Sequence, residues 1–163
     1  MTAVPCAIAL GSNLGDSQHI LKTALQKLAE APEITLEAHS SFYQTAPVGP
    51  PQPDYLNACA LLWTTLSPQA LLQTLLAIEQ ALGRVRRQRW GPRSLDLDLL
   101  FYGDLVLMEP DLQIPHPRLR ERAFVLIPLA EIASDWRDPV TGSSVQALCA
   151  ALDSAGVERF NPL

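Results

Sequence analysis

Apolar segments with two different periodicities alternate along this chain, and their order constrains the fold more than any other feature. Residues 4–10 form a short apolar run that ends between Gly11 and Gly15, which predicts a buried strand followed by a tight turn. Apolar residues then recur at helical spacing over residues 20–28, and Pro32 ends that helix. The chain therefore begins with a strand, a loop and a helix.

The alternation continues through the middle of the chain. Residues 34–43 and 56–65 are rich in β-forming side chains and predict two further strands. Between them, the prolines and the glycine of residues 45–53 exclude regular structure. A second helix begins after the N-cap Ser67 and ends at Gly83, a residue suited to helix termination.

The remaining segments complete the expected set of elements. Residues 95–102 alternate apolar and acidic side chains with period two, which predicts a strand, and residues 105–108 are expected to pair back on it as a hairpin. Residues 123–132 and 144–152 are predicted helices, with Pro128 breaking or bending the first. Strands and helices in this order, without strict βαβ alternation, indicate an α+β fold in which helices cover a mainly antiparallel sheet.

Composition narrows the class of protein. A hydrophobic content of 48% and a charged content of 18% are typical of a globular protein, and 163 residues suit one domain over residues 1–163. The net charge of -5 argues against a nucleic-acid binder. The three cysteines show no metal or disulfide spacing, and no apolar run approaches the length of about 18 residues that spans a bilayer. We expect a cytoplasmic monomer that acts on small molecules, without nucleic-acid or membrane partners.

Positive charge is concentrated in one part of this acidic chain. Eight of the ten arginines lie between Arg84 and Arg122, and the sequence RWGPRSLDLD occupies residues 89–98 in the middle of that span. Guanidinium groups bind phosphate in a bidentate manner, and adjacent carboxylates bind divalent metals. The combination favours a polyphosphate bound together with its metal, and thus phosphoryl transfer.

Each part of this pattern also has a simpler interpretation. Asp96 and Asp98 project from the same side of a strand at a separation of about 6.6 Å, where they could share a metal or merely form a half-solvated face. Arg84 and Arg86 could instead act as cations at a helix C-terminus. Trp90 could stack on a ligand or lie in the core, and a lone histidine such as His116 is more often structural than catalytic.

The chain resembles the 6-hydroxymethyl-7,8-dihydropterin pyrophosphokinase family over nearly its whole length. The resemblance rests on specific motifs in the family's order: ALGSNLG at 9–15, SFYQTAP at 41–47, DYLN at 54–57, GRVR at 83–86, RWGPRSLDLD at 89–98, PHPR at 115–118 and RAF at 122–124. It implies a ferredoxin-like domain that transfers the terminal diphosphate of ATP to the hydroxymethyl group of the pterin and releases AMP.

The resemblance also implies roles for individual residues. Asp96 and Asp98 match two magnesium-binding aspartates, with two Mg²⁺ ions expected, and together with Arg84 and Arg93 they are the expected catalytic residues. The residues that match positions around ATP, the co-substrate, are Glu79, Arg84, Arg86, Arg89, Trp90, Arg93, His116 and Arg122. The residues that match the pterin site are Thr45, Val48, Tyr55, Asn57 and Phe124, with Tyr55 and Phe124 sandwiching the ring.

Three positions depart from the family pattern. Pro117 replaces a larger aromatic residue of some relatives, Ser94 replaces a commoner threonine, and Leu76 lies where some relatives have a polar residue near the adenine. Two other classes of function fit the sequence less well. A non-catalytic nucleotide-binding module would not need both the acidic pair and the pterin residues, and an RNA-binding domain would not place two carboxylates within its basic patch.

Overall fold

The computed structural model describes residues 2–46, 51, 53–82 and 94–160. In these residues it contains eight strands and four helices. The strands are β1 (Val4–Ser12), β2 (Ile34–His39), β3 (Tyr43–Thr45), β4 (Tyr55–Thr64), β5 (Asp96–Tyr102), β6 (Leu107–Glu109), β7 (Leu112–Ile114) and β8 (Val157–Arg159). The helices are α1 (Ser17–Glu30), α2 (Pro68–Ala81), α3 (Ala123–Ala133) and α4 (Val145–Ala150), and a 3₁₀ turn covers Leu119–Glu121.

Six of the strands form one antiparallel sheet. Its order is β5-β1-β4-β3-β8, and β2 pairs with the other half of β4. The helices α1 and α2 each connect an edge strand with a central one, so that β1 and β4 lie side by side in the middle. This arrangement of strands and crossover helices is the ferredoxin-like α+β fold that was expected.

The helices α1 and α2 cover one face of the sheet. Asp16 caps α1 by accepting a hydrogen bond from the His19 backbone N–H, and Ser67 caps α2 through the Ala70 backbone N–H. The buried side chains of both helices pack on those of β1, β4 and β5 in one apolar cluster, which includes Leu21, Leu25, Leu28, Leu71, Leu75 and Ile78. Burying each such leucine or isoleucine stabilises the fold by about 1.5–3 kcal/mol.

The helices α3 and α4 cover part of the opposite face. Val125, Leu126 and Leu129 of α3 pack on alanines and other small residues of β1 and β4 in a second apolar cluster. Phe101 of β5 stacks on Trp136, with 5.6 Å between the ring centroids. Pro128 lies inside α3, which continues on both sides of it. At the end where β1 and β5 carry Gly11 and Asp96 as partners, neither residue belongs to this second cluster.

Two local predictions were wrong. The segment 34–43 forms two strands. The Ser40 backbone N–H still donates to the Cys59 carbonyl oxygen at 2.8 Å, but the Cys59 N–H donates to the Ser40 hydroxyl and not to a backbone carbonyl, so the regular ladder is interrupted there. The segment 105–108 does not pair with β5. Instead β6 pairs with β7 across a two-residue loop at Pro110 and Asp111. In the part of the chain that the structure describes, no helix has both the length and the apolar character needed to span a membrane.

Candidate active site

The two aspartates of the LDLD segment lie side by side at the start of β5. Asp96 and Asp98 are half-buried, whereas Leu95, Leu97 and Leu99 are buried in the cluster beneath α1 and α2. The predicted alternation is therefore confirmed, and both carboxylates leave the sheet on the face opposite that cluster. Side chains at this spacing are separated by about 6.6 Å, close enough to bind one metal ion or two adjacent ones.

Small residues of β1 leave room beside the carboxylates. Asp96 is the register partner of Gly11, and Asp98 is the register partner of Ala9. Partners of this kind carry their side chains on the same face, with Cβ atoms about 4.5–5.5 Å apart. A bulky residue at either β1 position would fill the space into which the carboxylates project.

Glu79 fixes the strand between the two aspartates. It lies near the end of α2, is only 3% exposed, and accepts a hydrogen bond of 2.6 Å from the Leu97 backbone N–H. Because β5 is the edge of the six-stranded sheet, an N–H that points away from β1 needs an acceptor outside the ladder. One carboxylate oxygen of Glu79 therefore lies on the backbone of β5, and the contact with ATP that the family resemblance implies stays a prediction.

A row of four register partners crosses the sheet at the end where β5 begins. It runs from Asp96 through Gly11 and Asn57 to Tyr43, on β5, β1, β4 and β3. A Cβ atom at Gly11 would lie 3.0 Å from Asn57 Nδ2, which is too close for ordinary packing. Glycine therefore lets the Asn57 amide lie against the sheet, directly between the acidic strand and β3.

Two buried side-chain oxygens, one in this row and one next to it, lack hydrogen-bond partners. Asn57 Oδ1 and Thr45 Oγ1 make no hydrogen bond with any described residue, and Asn57 is only 7% exposed. Thr45 pairs with Tyr55 at the next position of the β3–β4 ladder. An unsatisfied buried polar group costs about 1–3 kcal/mol, so the two oxygens indicate a surface that hydrogen-bonds a ligand.

The first turn of α3 lies beside the same end of the sheet. Arg122 is the N-cap residue of α3, and its guanidinium carbon lies 5.6 Å from the centroid of the Phe124 ring. The Cys59 thiol donates to the Val125 carbonyl oxygen at 3.4 Å. Since Cys59 is two residues from Asn57 on the same face of β4, this contact places the start of α3 next to the row.

His116 joins the site from the segment that precedes the 3₁₀ turn. Its backbone N–H donates to the Leu100 carbonyl oxygen at 3.1 Å, and its Nδ1 accepts from the Arg118 backbone N–H at 3.1 Å. Burial lowers the pKa of His116; the Asp98 carboxylate opposes this shift, and the charges of Arg122 and Arg118 reinforce it. A neutral ring whose Nδ1 accepts carries its proton on Nε2, so His116 offers a hydrogen-bond donor.

The arginines at 118, 120 and 122 have three different environments. Arg118 pairs with Glu121 at the surface, where the two side chains are 57% and 61% exposed. Arg120 forms a two-point ion pair with the buried carboxylate of Asp138. Arg122 forms no ion pair with a described residue and lies over Phe124. Of this basic group, Arg122 alone is without an ion-pair partner among the described residues, although the charges of both Arg118 and Arg122 act on His116.

The structure brings together most of the predicted residues that it describes. Those that converge on the end of the sheet where β5 begins are Thr45, Tyr55, Asn57, Asp96, Asp98, His116, Arg122 and Phe124. The predicted residues Val48, Arg84, Arg86, Arg89, Trp90 and Arg93 lie outside the described residues. Of the three departures, Pro117 is exposed, Ser94 is buried and Leu76 is half-buried on α2.

The acidic pair has the donor set that magnesium prefers. Within the described ranges, no three His, Cys, Asp or Glu side chains gather into a metal-binding group. Magnesium commonly takes only one or two protein carboxylates and completes its octahedron with water and substrate phosphate oxygens. Asp96 and Asp98 fit that requirement, because they supply two half-buried carboxylates on one face of β5.

Known proteins of one family resemble this chain. A family model described as 7,8-dihydro-6-hydroxymethylpterin-pyrophosphokinase matches residues 7–134. The chain is 51% identical over 155 residues to a 2-amino-4-hydroxy-6-hydroxymethyldihydropteridine pyrophosphokinase of Synechocystis sp., which covers 95% of this chain and 80% of the relative. It is 46% identical over 154 residues to a protein of the same name from Pseudomonas aeruginosa, with 94% of each chain covered.

A solved structure shares the fold. The crystal structure of wild-type Plasmodium falciparum HPPK-DHPS matches 91% of this chain with a TM-score of 0.74 and 14% sequence identity. The present chain spans 44% of the length of that protein. The family model covers well over half of the chain, and the two bacterial relatives match nearly all of it. The chain therefore belongs to the 7,8-dihydro-6-hydroxymethylpterin-pyrophosphokinase family.

Proposed function

We propose that this pyrophosphokinase transfers the terminal diphosphate of ATP to the hydroxymethyl group of 6-hydroxymethyl-7,8-dihydropterin, giving the pterin diphosphate and AMP for folate biosynthesis. The observation that carries the proposal is the row formed by Asp96, Gly11 and Asn57. It puts the acidic pair of β5 and an amide whose oxygen lacks a hydrogen-bond partner on one face of the sheet, on the two strands that flank β1. A metal-bound polyphosphate and a flat polar heterocycle could therefore meet there.

Asp96 and Asp98 would hold two Mg²⁺ ions in this proposal. When bound, the ions neutralise charge on the transferring phosphoryl group and orient the attacking and leaving oxygens. Glu79 supports the pair indirectly, since its bond to the Leu97 N–H keeps both aspartates on one face. The half-buried position of the carboxylates leaves one side open for phosphate oxygens.

The pterin would occupy the space between β4 and the start of α3. Tyr55 and Phe124 would contact the two faces of the ring, and Asn57 would pair with its amide-like edge through the oxygen that lacks a partner. Backbone groups of Thr45 and Val48 would complete that edge. Stacking contributes about 0.5–1.5 kcal/mol beyond the area buried, so ring shape and polar edge would both select the substrate.

The basic residues would bind the triphosphate. Arg122 presents its charge to the site, and His116 offers the Nε2–H donor. The arginines at 84, 86, 89 and 93 are proposed to add bidentate contacts with phosphate oxygens, with Trp90 as an apolar surface for the nucleotide. Arg84 and Arg93 are the pair expected to stabilise the transition state, because guanidinium contacts there strengthen as charge develops.

The reaction needs no covalent intermediate with the protein. The substrate hydroxyl oxygen forms a bond to the β-phosphorus of ATP, the bond from that phosphorus to the α–β bridging oxygen breaks, and AMP leaves with the electron pair. The hydroxyl proton passes to solvent. Positioning and electrostatic stabilisation then account for the rate enhancement.

Product analysis tests the proposed reaction. The purified protein is mixed with ATP, Mg²⁺ and 6-hydroxymethyl-7,8-dihydropterin, and the nucleotide and pterin products are separated and weighed by mass spectrometry. We expect AMP and a pterin diphosphate in equal amounts. ADP with a pterin monophosphate would indicate an ordinary kinase, and ATP binding without product would indicate a non-catalytic nucleotide-binding module.

Truncation of Phe124 should weaken pterin binding selectively. We expect Phe124→Ala to raise the KM for the pterin by about 10- to 100-fold, since it removes one stacking face and the apolar area beneath it. The KM for ATP should change by less than about threefold, a difference below 1 kcal/mol. Steady-state kinetics with each substrate varied in turn measures both values.

Ile132→Ala is the matched control for this truncation. Ile132 is on the same helix as Phe124, and both are partly buried against the same apolar cluster. The control should leave both KM values near those of the wild type, although it removes a similar packing contact. An equal rise of both KM values in Phe124→Ala would contradict the assignment of Phe124 to the pterin.

We also propose that residues 1–163 form a single pyrophosphokinase domain that acts as a cytoplasmic monomer on its two small-molecule substrates. The family match ends at residue 134, yet β8 pairs with β3 in the same sheet and α4 packs on α3. The C-terminal segment would therefore belong to the catalytic domain. Light scattering of the purified protein at enzyme concentration tests the monomer, and a mass of twice 17.8 kDa would overturn it.

A further inference from the structure

One carboxylate joins the two sides of the proposed pterin pocket. Glu131 lies in the third turn of α3 and accepts hydrogen bonds from Ser41, just before β3, and from Tyr43, the first residue of β3. Its Oε2 accepts from the Ser41 backbone N–H at 2.9 Å and from the Ser41 hydroxyl at 3.1 Å. Its Oε1 accepts from the Tyr43 hydroxyl at 2.6 Å. The helix that carries Phe124 is thus tied directly to the strand that carries Thr45.

The C-terminal strand completes the same contact. The Arg159 guanidinium donates to Glu131 Oε1 at 3.3 Å, and its carbon lies 5.9 Å from the centroid of the Tyr43 ring. Arg159 and Tyr43 are also register partners on β8 and β3. The carboxylate therefore meets donors from two strands as well as from the segment before β3, although its side chain is 27% exposed.

The geometry connects this contact with the pocket on both sides. Phe124 precedes Glu131 by seven residues, which corresponds to about two helical turns and places both side chains on one face of α3. Tyr43 is the register partner of Asn57, and Thr45 is the register partner of Tyr55. A shift of α3 relative to β3 would therefore change the spacing between Phe124 and these pocket residues.

The negative charge of Glu131 suits this function. Burial alone would raise the pKa of Glu131, but the bonds from Tyr43 and Ser41, together with the charge of Arg159, hold the pKa below its ordinary value. An ionised carboxylate accepts on both oxygens. In an amide of the same shape, an N–H₂ group replaces one of the two oxygens. This group cannot accept hydrogen bonds, so the donors on that side would lose their partner.

We propose that Glu131 is a positioning residue for the pterin: it holds α3 against β3 and so sets the separation between Phe124 on one side and Tyr55 with Asn57 on the other. The inference rests on the proposed function, because it assumes that the ligand between these residues is the pterin. It assigns Glu131 no contact with substrate. Its effect on catalysis passes through the spacing of the pocket.

The test replaces the carboxylate by its isosteric amide. We expect Glu131→Gln to raise the Kd for 6-hydroxymethyl-7,8-dihydropterin, measured by calorimetry with a non-hydrolysable ATP analogue and Mg²⁺ present, by about tenfold or more, equivalent to about 1.4 kcal/mol. The Kd for the ATP analogue alone should stay within about twofold of the wild-type value, since the acidic pair is on β5 at the far side of the row. Tyr43→Phe removes one of the bonds and should raise the pterin Kd by a smaller factor.

Glu37→Gln provides the matched control. Glu37 Oε1 accepts a hydrogen bond of 3.1 Å from Trp63 Nε1 between β2 and β4. Like Glu131→Gln, this variant therefore replaces a carboxylate that accepts from an aromatic side chain by an amide. It lies at the opposite end of β4 from Asn57. The pterin Kd of Glu37→Gln should equal that of the wild type.

The outcomes separate the inference from the proposed function. A pterin Kd in Glu131→Gln that equals the wild-type value overturns the inference, and so does an equal rise in the Kd values of both ligands. A rise in the pterin Kd alone in Glu131→Gln, with a smaller rise in Tyr43→Phe, supports the inference. If the wild-type protein binds the pterin but forms no pterin diphosphate, the proposed function fails, while the two Kd values still decide the role of Glu131.

Discussion

Replacement of Asp98 by Asn is expected to lower kcat by about 10³-fold or more, because a metal contributes several kcal/mol of charge stabilisation in the transition state and each 1.36 kcal/mol is a factor of ten. The substitution keeps the shape of the side chain and removes its charge. The half-buried side chain lies beside the small side chain of Ala9, so an amide of the same size fits in its place. The fold should therefore be retained, as the circular dichroism spectrum and the melting temperature can show.

Asp96→Asn should cause a loss of the same order, since both carboxylates face the same space. The measurement is steady-state turnover at several Mg²⁺ concentrations, at saturating ATP and pterin. Higher Mg²⁺ should restore part of the activity of each variant, because a weakened site fills at a higher metal concentration. Turnover near the wild-type value in both variants would remove the metal-binding role assigned to the pair.

Asp104→Asn is the matched control for charge. Asp104 is exposed in the turn that follows β5, six residues beyond Asp98. Asp104 has the same side chain as Asp98, but its turn lies at the opposite end of β5 from the acidic pair. Its replacement should leave both kcat and the Mg²⁺ dependence unchanged, which would assign any loss in the other two variants to their position.

Periodic patterns predicted the parts of the site that lie on single elements. The alternation of residues 95–102 placed Asp96 and Asp98 on one face and the intervening leucines in the core, because side chains of a strand alternate between its two faces whatever the surrounding fold. The N-caps Asp16 and Ser67 followed from local hydrogen bonding in the same way. The motifs of the family resemblance named residues from four strands and α3 without giving the distances between them.

The hairpin prediction failed because two turns competed for the same strand. Gly103 adopts a φ of 54° and its N–H donates to the Pro5 carbonyl oxygen at 2.7 Å, so β5 ends there while the chain is still bonded to β1. The pair Pro110 and Asp111 then closes a two-residue loop between β6 and β7. Proline and aspartate at the centre of a turn were a usable signal. The position of this pair, two and three residues beyond the expected strand 105–108, would have indicated the correct pairing.

Acidic side chains with partners distant in sequence could not be assigned from the sequence. Glu79 interrupts the apolar pattern of α2, and Glu131 interrupts that of α3, so each stands out as a charge close to buried positions. Their partners are Leu97 in one case and Ser41, Tyr43 and Arg159 in the other. Nothing in the local sequence specifies such pairs, because they depend on how α2 and α3 dock on the sheet.

The ion pair between Arg120 and Asp138 gives the second large expected effect, on stability. Asp138 is fully buried, and besides the two bonds from Arg120 its carboxylate accepts from the Val140 backbone N–H at 2.9 Å and from the Thr141 hydroxyl at 3.0 Å. Arg120 belongs to the 3₁₀ turn between His116 and Arg122. The pair therefore anchors the segment that carries both of these site residues to the chain beyond α3.

Asp138→Asn is expected to lower the free energy of unfolding by about 3 kcal/mol at neutral pH, because it leaves the Arg120 charge without its buried partner. The sign of the pH dependence follows from the direction of the pKa. Burial raises the pKa of Asp138, but Arg120 and the other donors outweigh it and hold the pKa below its ordinary value of 3.8. The stabilisation is therefore present at pH values above the unfolded-state pKa and is lost as the pH falls through the folded-state pKa.

Chemical denaturation at a series of pH values measures this difference. The gap between the wild type and Asp138→Asn should be constant above about pH 5 and should narrow below about pH 4, where the carboxylate of the unfolded wild-type chain begins to bind a proton. Asp135→Asn, a change of the same kind at an exposed position three residues earlier, should leave the stability nearly unchanged. A gap that stays constant down to pH 2 would mean that Asp138 contributes through packing and not through its charge, and a gap below about 0.5 kcal/mol at neutral pH would remove the anchoring role of the pair.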